Sequence, residues 1–199
     1  RFWKKSLINI MKPSPNKKLI DVACGTGDIG KLFLNTVKFK GSVYNVDPNK
    51  KMLDQGKKRF KNLDNISWHI GNAENLKFKS NLFDYYTISF GLRNTKDISK
   101  SLKEAHRVLK PGGRFLCLEF SKISNSNLNF LYKNYSKIIP KVGKFIVGKS
   151  EPYEYLIKSI DKFINQNQLV ELMNKNGFEN CKYRDLSGGI VSIHSGWKV

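Results

Sequence analysis

Apolar positions along the chain follow two rhythms, and the switches between them mark the elements. Phe2, Trp3, Leu7, Ile8 and Met11 recur near helical spacing over residues 1–11, and Pro13 and Pro15 stop the pattern. KLIDVA at 18–23 then reads as a buried strand running into Cys24-Gly25-Thr26-Gly27-Asp28. Helical spacing returns with Ile29, Leu32, Phe33 and Val37. SVYNVD (42–47) is a second strand ending on an acid, and residues 48–62 form a helix with Pro48 in its tolerated first turn. Residues 66–71 and 83–91 supply a third and a fourth strand. Ile98, Leu102, Ala105 and Leu109 share one face of a helix over 97–110; Pro111-Gly112-Gly113 ends it before a fifth strand at 114–120. Such alternation predicts an α/β fold, an open, mostly parallel, doubly wound sheet with helices on both faces.

After Phe120 the rhythm changes. Residues 121–127 are a polar loop, and 128–148 form a Tyr/Lys/Ile-rich stretch whose pattern is helical but ambiguous. Helices follow at 152–163 and 166–176, the second closed by Gly177. Two short strands, 179–186 and 190–198, flank the turn Ser187-Gly188-Gly189 and add an antiparallel C-terminal edge, for seven strands in all. The chain, 1–199, thus reads as one domain, with 121–178 a helical insertion or lid that helps form a substrate pocket.

Composition narrows the classes. With 199 residues and 40% hydrophobic positions the chain fills one core. Its formal charge of +20 comes from 36 basic and 16 acidic residues, and only six of the basic ones are Arg. The lysines are spread from end to end, which disfavours a nucleic-acid reader with its concentrated, Arg-rich patch. Contact with anionic lipid, on the order of 1 kcal/mol per Lys near the surface, fits the balance at least as well. Cys24, Cys117 and Cys181 show neither disulfide nor zinc spacing; they read as reduced thiols in a cytosolic compartment, with no metal site. No stretch reaches ~18 apolar residues, and no signal peptide is visible. The first residue is Arg rather than Met, which reads as a fragment or a trimmed chain.

The chemistry concentrates where the first strand ends. Gly25 and Gly27 let the backbone turn sharply and approach a ligand closely. Asp47 closes the next strand twenty positions after Gly27, a spacing suited to a carboxylate that accepts ribose hydroxyls. Gly30 could complete a dinucleotide fingerprint, but Asp28 stands where the pyrophosphate would sit, and Asp21 adds further negative charge. A positively charged nucleoside, S-adenosylmethionine, fits better than NAD. Asn72-Ala73-Glu74 follow the third strand, where an adenine amino group can be read, and Ser89 to Asn94 lie past the carboxyl end of the fourth.

The blocks DVACGTGD, GNAENLKF, FDYYTISFGLRN and RVLKPGGRFLCLEFSK, with the tail LSGGIVSIHSGWK, resemble the class I S-adenosylmethionine-dependent methyltransferases. More narrowly, they resemble the ubiquinone/menaquinone-biosynthesis C-methyltransferase family, over nearly the whole chain. The resemblance implies a Rossmann-like seven-stranded domain that methylates a ring carbon of a polyprenylated quinol, either demethylmenaquinol or a 2-polyprenyl-6-methoxy-1,4-benzoquinol. It implies cofactor contacts from Thr26, Asp47, Asn72, Ala73 and Ser89, alongside Gly25 and Gly27. It also implies an N-terminal segment whose aromatic residues help cover the cofactor, of which RFWKK reads as the end. Other quinone-biosynthesis enzymes and a homodimer are the partners it leaves room for, at the inner membrane surface or in the cytoplasm.

Transfer to carbon needs a positioned, electron-rich ring and no competing water. Arg93 is the candidate to stabilise the quinolate oxygen, although an Arg on a loop also pairs readily with a carboxylate such as Asp97. Asn94 assists. His194 is the histidine placed to act as base, against a satisfied structural role; His69 and His106 read as structural. Tyr153 and Tyr155 are candidates to line the quinol pocket, or are core. Residues 128–148 would wall the path of the polyprenyl tail and touch lipid, or form a plain lid. Two alternatives stand beside this reading: an RNA methyltransferase, motivated by the charge, and a catalytically silent scaffold that binds cofactor or quinone.

Overall fold

A computed structural model describes residues 2–122 and 151–199, with helices α1 (Phe2–Met11), α2 (Asp28–Thr36), α3 (Lys50–Arg59), α4 (Ile98–Val108), α5 (Glu151–Lys162) and α6 (Gln166–Lys175). The strands are β1 (Lys17–Val22), β2 (Gly41–Asp47), β3 (Ile66–Ile70), β4 (Phe83–Ser89), β5 (Leu109–Phe120), β6 (Phe178–Leu186) and β7 (Val191–Lys198). They form one sheet in the order β3-β2-β1-β4-β5-β7-β6. The pairs from β3 to β5 are parallel, and β7 runs antiparallel to both β5 and β6. The expected antiparallel element is present, but the last strand lies inside the sheet and β6 forms the edge. That edge exposes Glu179, Lys182, Arg184 and Asp185, charges that discourage pairing with another chain. Strand order reverses between β1 and β4, and ligands of such sheets bind beyond the carboxyl ends at this switch.

Alternation along the strands feeds two apolar layers. Leu19, Val43, Leu116 and Ile193 meet Leu7, Ile8 and Met11 of α1 and Phe33 and Leu34 of α2. On the other face Ile20, Tyr86, Ile88 and Phe115 meet Leu102 and Ala105 of α4 and Leu169 and Met173 of α6. Helix α6 is therefore a layer of the sandwich, not part of a lid over it. The expected pocket wall at 128–148 lies outside the described residues.

Boundaries move for local reasons. Helix α3 starts at Lys50, beyond Pro48, because the Asn49 side chain accepts from the amides of Lys51 and Met52. Strand β4 stops at Ser89 because Phe90 turns to a φ of 56°. Pro111-Gly112-Gly113 does not precede β5 but sits within it as a bulge: Phe83 pairs with Leu109, and Tyr85 already with Arg114.

Candidate functional site

A cavity of about 410 Å³ opens over the switch point. Val22 and Ala23 line it from the end of β1, Asp47 and Pro48 from the end of β2, and Asn72, Ala73 and Glu74 from beyond β3. The exit of β4 contributes Phe90, Gly91, Asn94 and Lys96. Asp47 is buried, and backbone amides hold both carboxylate oxygens: Gly25 donates to Oδ2 and Asn49 to Oδ1, each at 2.8 Å. Each oxygen keeps a further lone pair for a hydroxyl donor.

The glycine turn is built for close approach. Gly27 begins α2 at a φ of 80°, and a Cβ there would lie 2.6 Å from the Trp68 ring. Helices α3, α4 and α6 have side-chain caps, whereas α2 has none, so its first-turn amides remain available. Thr26 Oγ1 accepts from Arg59 Nη1 at 2.6 Å, and Arg59 also pairs with Asp28 at 3.2 Å. Of the expected cofactor residues, Asp47, Asn72 and Ala73 line the cavity, whereas Gly25, Thr26, Gly27 and Ser89 are not among its lining residues. Ser89 Oγ is buried without a partner among the described residues.

Although the molecule is basic, this corner is acidic. Asp21 accepts from Thr87 Oγ1 at 2.7 Å through one oxygen; the other is buried and unpartnered among the described residues. Burial raises the Asp21 pKa to about 7, with Asp47 and Asp28 adding to the rise and the Thr87 bond and Lys4 opposing it. The residues suit S-adenosylmethionine on three counts. An anchored carboxylate can take ribose hydroxyls, the position a Gly25 Cβ would occupy has nothing within 4 Å, and a buried unpartnered carboxylate oxygen favours a nearby positive centre.

The expected catalytic residues separate. The Arg93 side chain is 8% exposed and pairs with the fully buried Glu119, Nη1 to Oε1 at 2.8 Å, and it is not among the cavity's lining residues. It also donates to the Phe90 carbonyl and to Ser159 of α5, and stacks over Phe120. The expected partner Asp97 instead caps α4, accepting from the Lys100 amide. Asn94 does line the cavity, and Tyr155 donates to its Oδ1 at 3.2 Å. The two are brought together at the rim, with the Tyr155 ring 60% exposed and so outside the core. The Tyr153 side chain lies outside the described set. His194 needs correction: it is buried on β7, does not line the cavity, and its Nε2 lies 3.0 Å from the Gln166 carbonyl, which obliges it to donate there. Burial lowers its pKa to about 4. It is a neutral structural residue, not a base.

Three participants escape a reading of the sequence. Lys96 lines the cavity but is one lysine among thirty. Arg59 fixes the glycine turn from another helix. Glu119 left a readable sign, an acid within the apolar run FLCLEF that required a buried cation.

A family model described as the ubiE/COQ5 methyltransferase family matches residues 1–198. The ubiquinone/menaquinone biosynthesis C-methyltransferase UbiE of Rickettsia bellii (strain OSU 85-389) is 47% identical over 206 residues, covering 100% of this chain and 83% of that protein. The mitochondrial 2-methoxy-6-polyprenyl-1,4-benzoquinol methylase of Dictyostelium discoideum is 42% identical over 231 residues, covering 100% of this chain and 74% of that one. Among solved structures, a SAM-dependent methyltransferase of Thermotoga maritima superposes with a TM-score of 0.68 at 21% identity, covering 100% of this chain and 88% of its own.

Proposed function

The chain belongs to the ubiE/COQ5 methyltransferase family, and from that membership we propose that it transfers a methyl group from S-adenosylmethionine to a ring carbon of a polyprenylated quinol in ubiquinone or menaquinone biosynthesis. The observation that carries the reading is Asp47, lining the cavity with both oxygens set by backbone amides. Demethylmenaquinol and a 2-polyprenyl-6-methoxy-1,4-benzoquinol are the two acceptors. The RNA-methyltransferase and scaffold alternatives gain nothing from the family or the named relatives.

S-adenosylmethionine, when bound, supplies an electrophilic methyl on a sulfonium. Asp47 would accept hydrogen bonds from the ribose hydroxyls, Gly25 and Gly27 shape the turn beside it, and Asn72 and Ala73 would border the adenine. Asn94, its oxygen engaged by Tyr155, keeps its Nδ2 hydrogens for a quinol oxygen. Among the described residues the cation that lines the cavity is Lys96, since Glu119 already neutralises Arg93. An ammonium there favours the quinolate over the quinol, which raises electron density on the ring carbon. The phenolic proton passes to water, the proton of the methylated ring carbon then shifts to the quinol oxygen as the ring regains aromaticity, and Phe90 with Ala23 keeps the reacting side apolar. Arg93 is a positioning residue that ties the loop after β4 to β5 and α5.

Among the described residues no helix is long and apolar enough to cross a membrane. Peripheral contact supplies the route for a lipid-soluble substrate, supported by the excess of lysine. The test is to incubate the purified protein with labelled S-adenosylmethionine and each quinol and to identify the product by mass. A ring-methylated quinol is expected; cofactor binding with neither quinol methylated ends the proposal.

A further inference from the structure

A second cavity, of about 670 Å³, lies between α1 and the β6–β7 hairpin and shares no lining residue with the first. Arg114 of β5 lines it, and this residue is nine-tenths buried. Its hydrogen bonds are all to neutral groups. Nη1 donates to the carbonyls of Ile10 and Met11 at 2.7 and 3.4 Å, and Nη2 to Ser195 Oγ at 3.4 Å. The guanidinium stacks 4.9 Å from the Trp197 ring centre, and Nε has no partner among the described residues. The two carbonyls belong to the last turn of α1, whose dipole eases the burial of a cation, but they and the hydroxyl bring no formal counter-charge, and a buried cation without one still favours an anion.

The contrast with the other arginines is informative. Arg59, Arg93 and Arg107 each hold a carboxylate within 4 Å. Arg114 and Arg184 hold none among the described residues, and both line this cavity. Lys12 and Lys182 line it too, and among the described residues no Asp or Glu does. Residues 123–150 contain no Asp or Glu in their sequence, so they offer no counter-charge either. Four cations therefore converge with the Ser195 hydroxyl beside an apolar wall that includes Ile10, Leu186 and Ile193. One buried planar guanidinium with exposed cations at the rim is the arrangement that complements a multiply charged oxyanion. The wall leaves room for an attached alkyl portion.

We infer that this cavity is a binding site for a phosphate-type oxyanion, either free or carried as the head of an amphiphile. The inference is independent of the quinol reading. Purified protein is titrated calorimetrically with inorganic phosphate, with dihexanoyl phosphatidic acid, and with dihexanoylglycerol, which lacks the phosphate. Phosphate and phosphatidic acid are expected to occupy one saturable site in competition, and dihexanoylglycerol not to compete. The double variant K182Q/R184Q, altered at exposed positions, is expected to bind both probes at least about tenfold more weakly at an unchanged melting temperature. Phosphatidic acid binding about tenfold tighter than phosphate assigns the site to a lipid headgroup, and equal affinity assigns it to the free anion. No saturable binding of either phosphate probe, or equal affinity in the parent and the double variant, overturns the inference.

Discussion

Asp47 is legible in the sequence because its strand ends at a fixed distance beyond a glycine turn, and sequence spacing carries that relation. Asp47→Asn keeps one oxygen for the backbone amides and removes the charge. It is expected to weaken S-adenosylmethionine binding by about tenfold to a hundredfold, the worth of a charge-assisted bond of roughly 1.5–3 kcal/mol, measured by calorimetry. His194 shows the opposite situation. Nothing in VSIHSGW distinguishes a base from a core histidine, because the deciding contact, the Gln166 carbonyl, comes from another element. The folded state keeps His194 neutral down to about pH 4, whereas the unfolded chain takes up that proton near 6.5. Its contribution to stability is complete above about pH 6.5 and is lost as the pH falls towards 4. Asp21, raised to about 7, acts in the opposite sense over much of this range, so the informative comparison is between variant and parent. His194→Gln is expected to lose less stability than the parent between pH 7 and pH 4.5, read by urea unfolding at both.

At the scale of elements, periodicity found the helices and strands, and side-chain caps set limits that periodicity cannot see. Asn165 and Gln168 form a reciprocal cap at the start of α6. Asn165→Ala is expected to lower the unfolding free energy by about 1 kcal/mol in a urea titration. The Arg93–Glu119 pair was illegible because β4 and β5 become neighbours only in the sheet, and Ser159 joins them from α5. Glu119→Ala strands a buried cation and is expected to cost roughly 3–5 kcal/mol. The double replacement of Arg93 by Met and Glu119 by Leu is expected to recover most of that loss by the same titration. Recovery of stability without recovery of methyl transfer would identify the pair as a fastener of the loop after β4.

For the whole molecule, alternation of strand and helix was enough to anticipate a doubly wound sheet, but not the insertion of β7 between β5 and β6. Hairpin logic places the last two strands side by side without saying which one meets the sheet. Net charge by itself carries little about the site: a chain of +20 sets Asp21, Asp28 and Asp47 around its glycine turn, Asp28 held by Lys4 and Arg59, and it is the positions of these acids, not the sum, that point to the ligand. A ligand that binds only the folded chain stabilises all of it. S-adenosylhomocysteine at a hundred times its dissociation constant is expected to add about 2.7 kcal/mol. A thermal scan would show the rise with that ligand and none with NADH. The placement of β7 also has a consequence during synthesis. While the polypeptide is still being translated, β5 presents a bare hydrogen-bonding margin, and the strand that covers it is the last of the sheet to leave the ribosome. Until the segment through Lys198 emerges, the nascent chain carries an open margin that can pair with other extended segments.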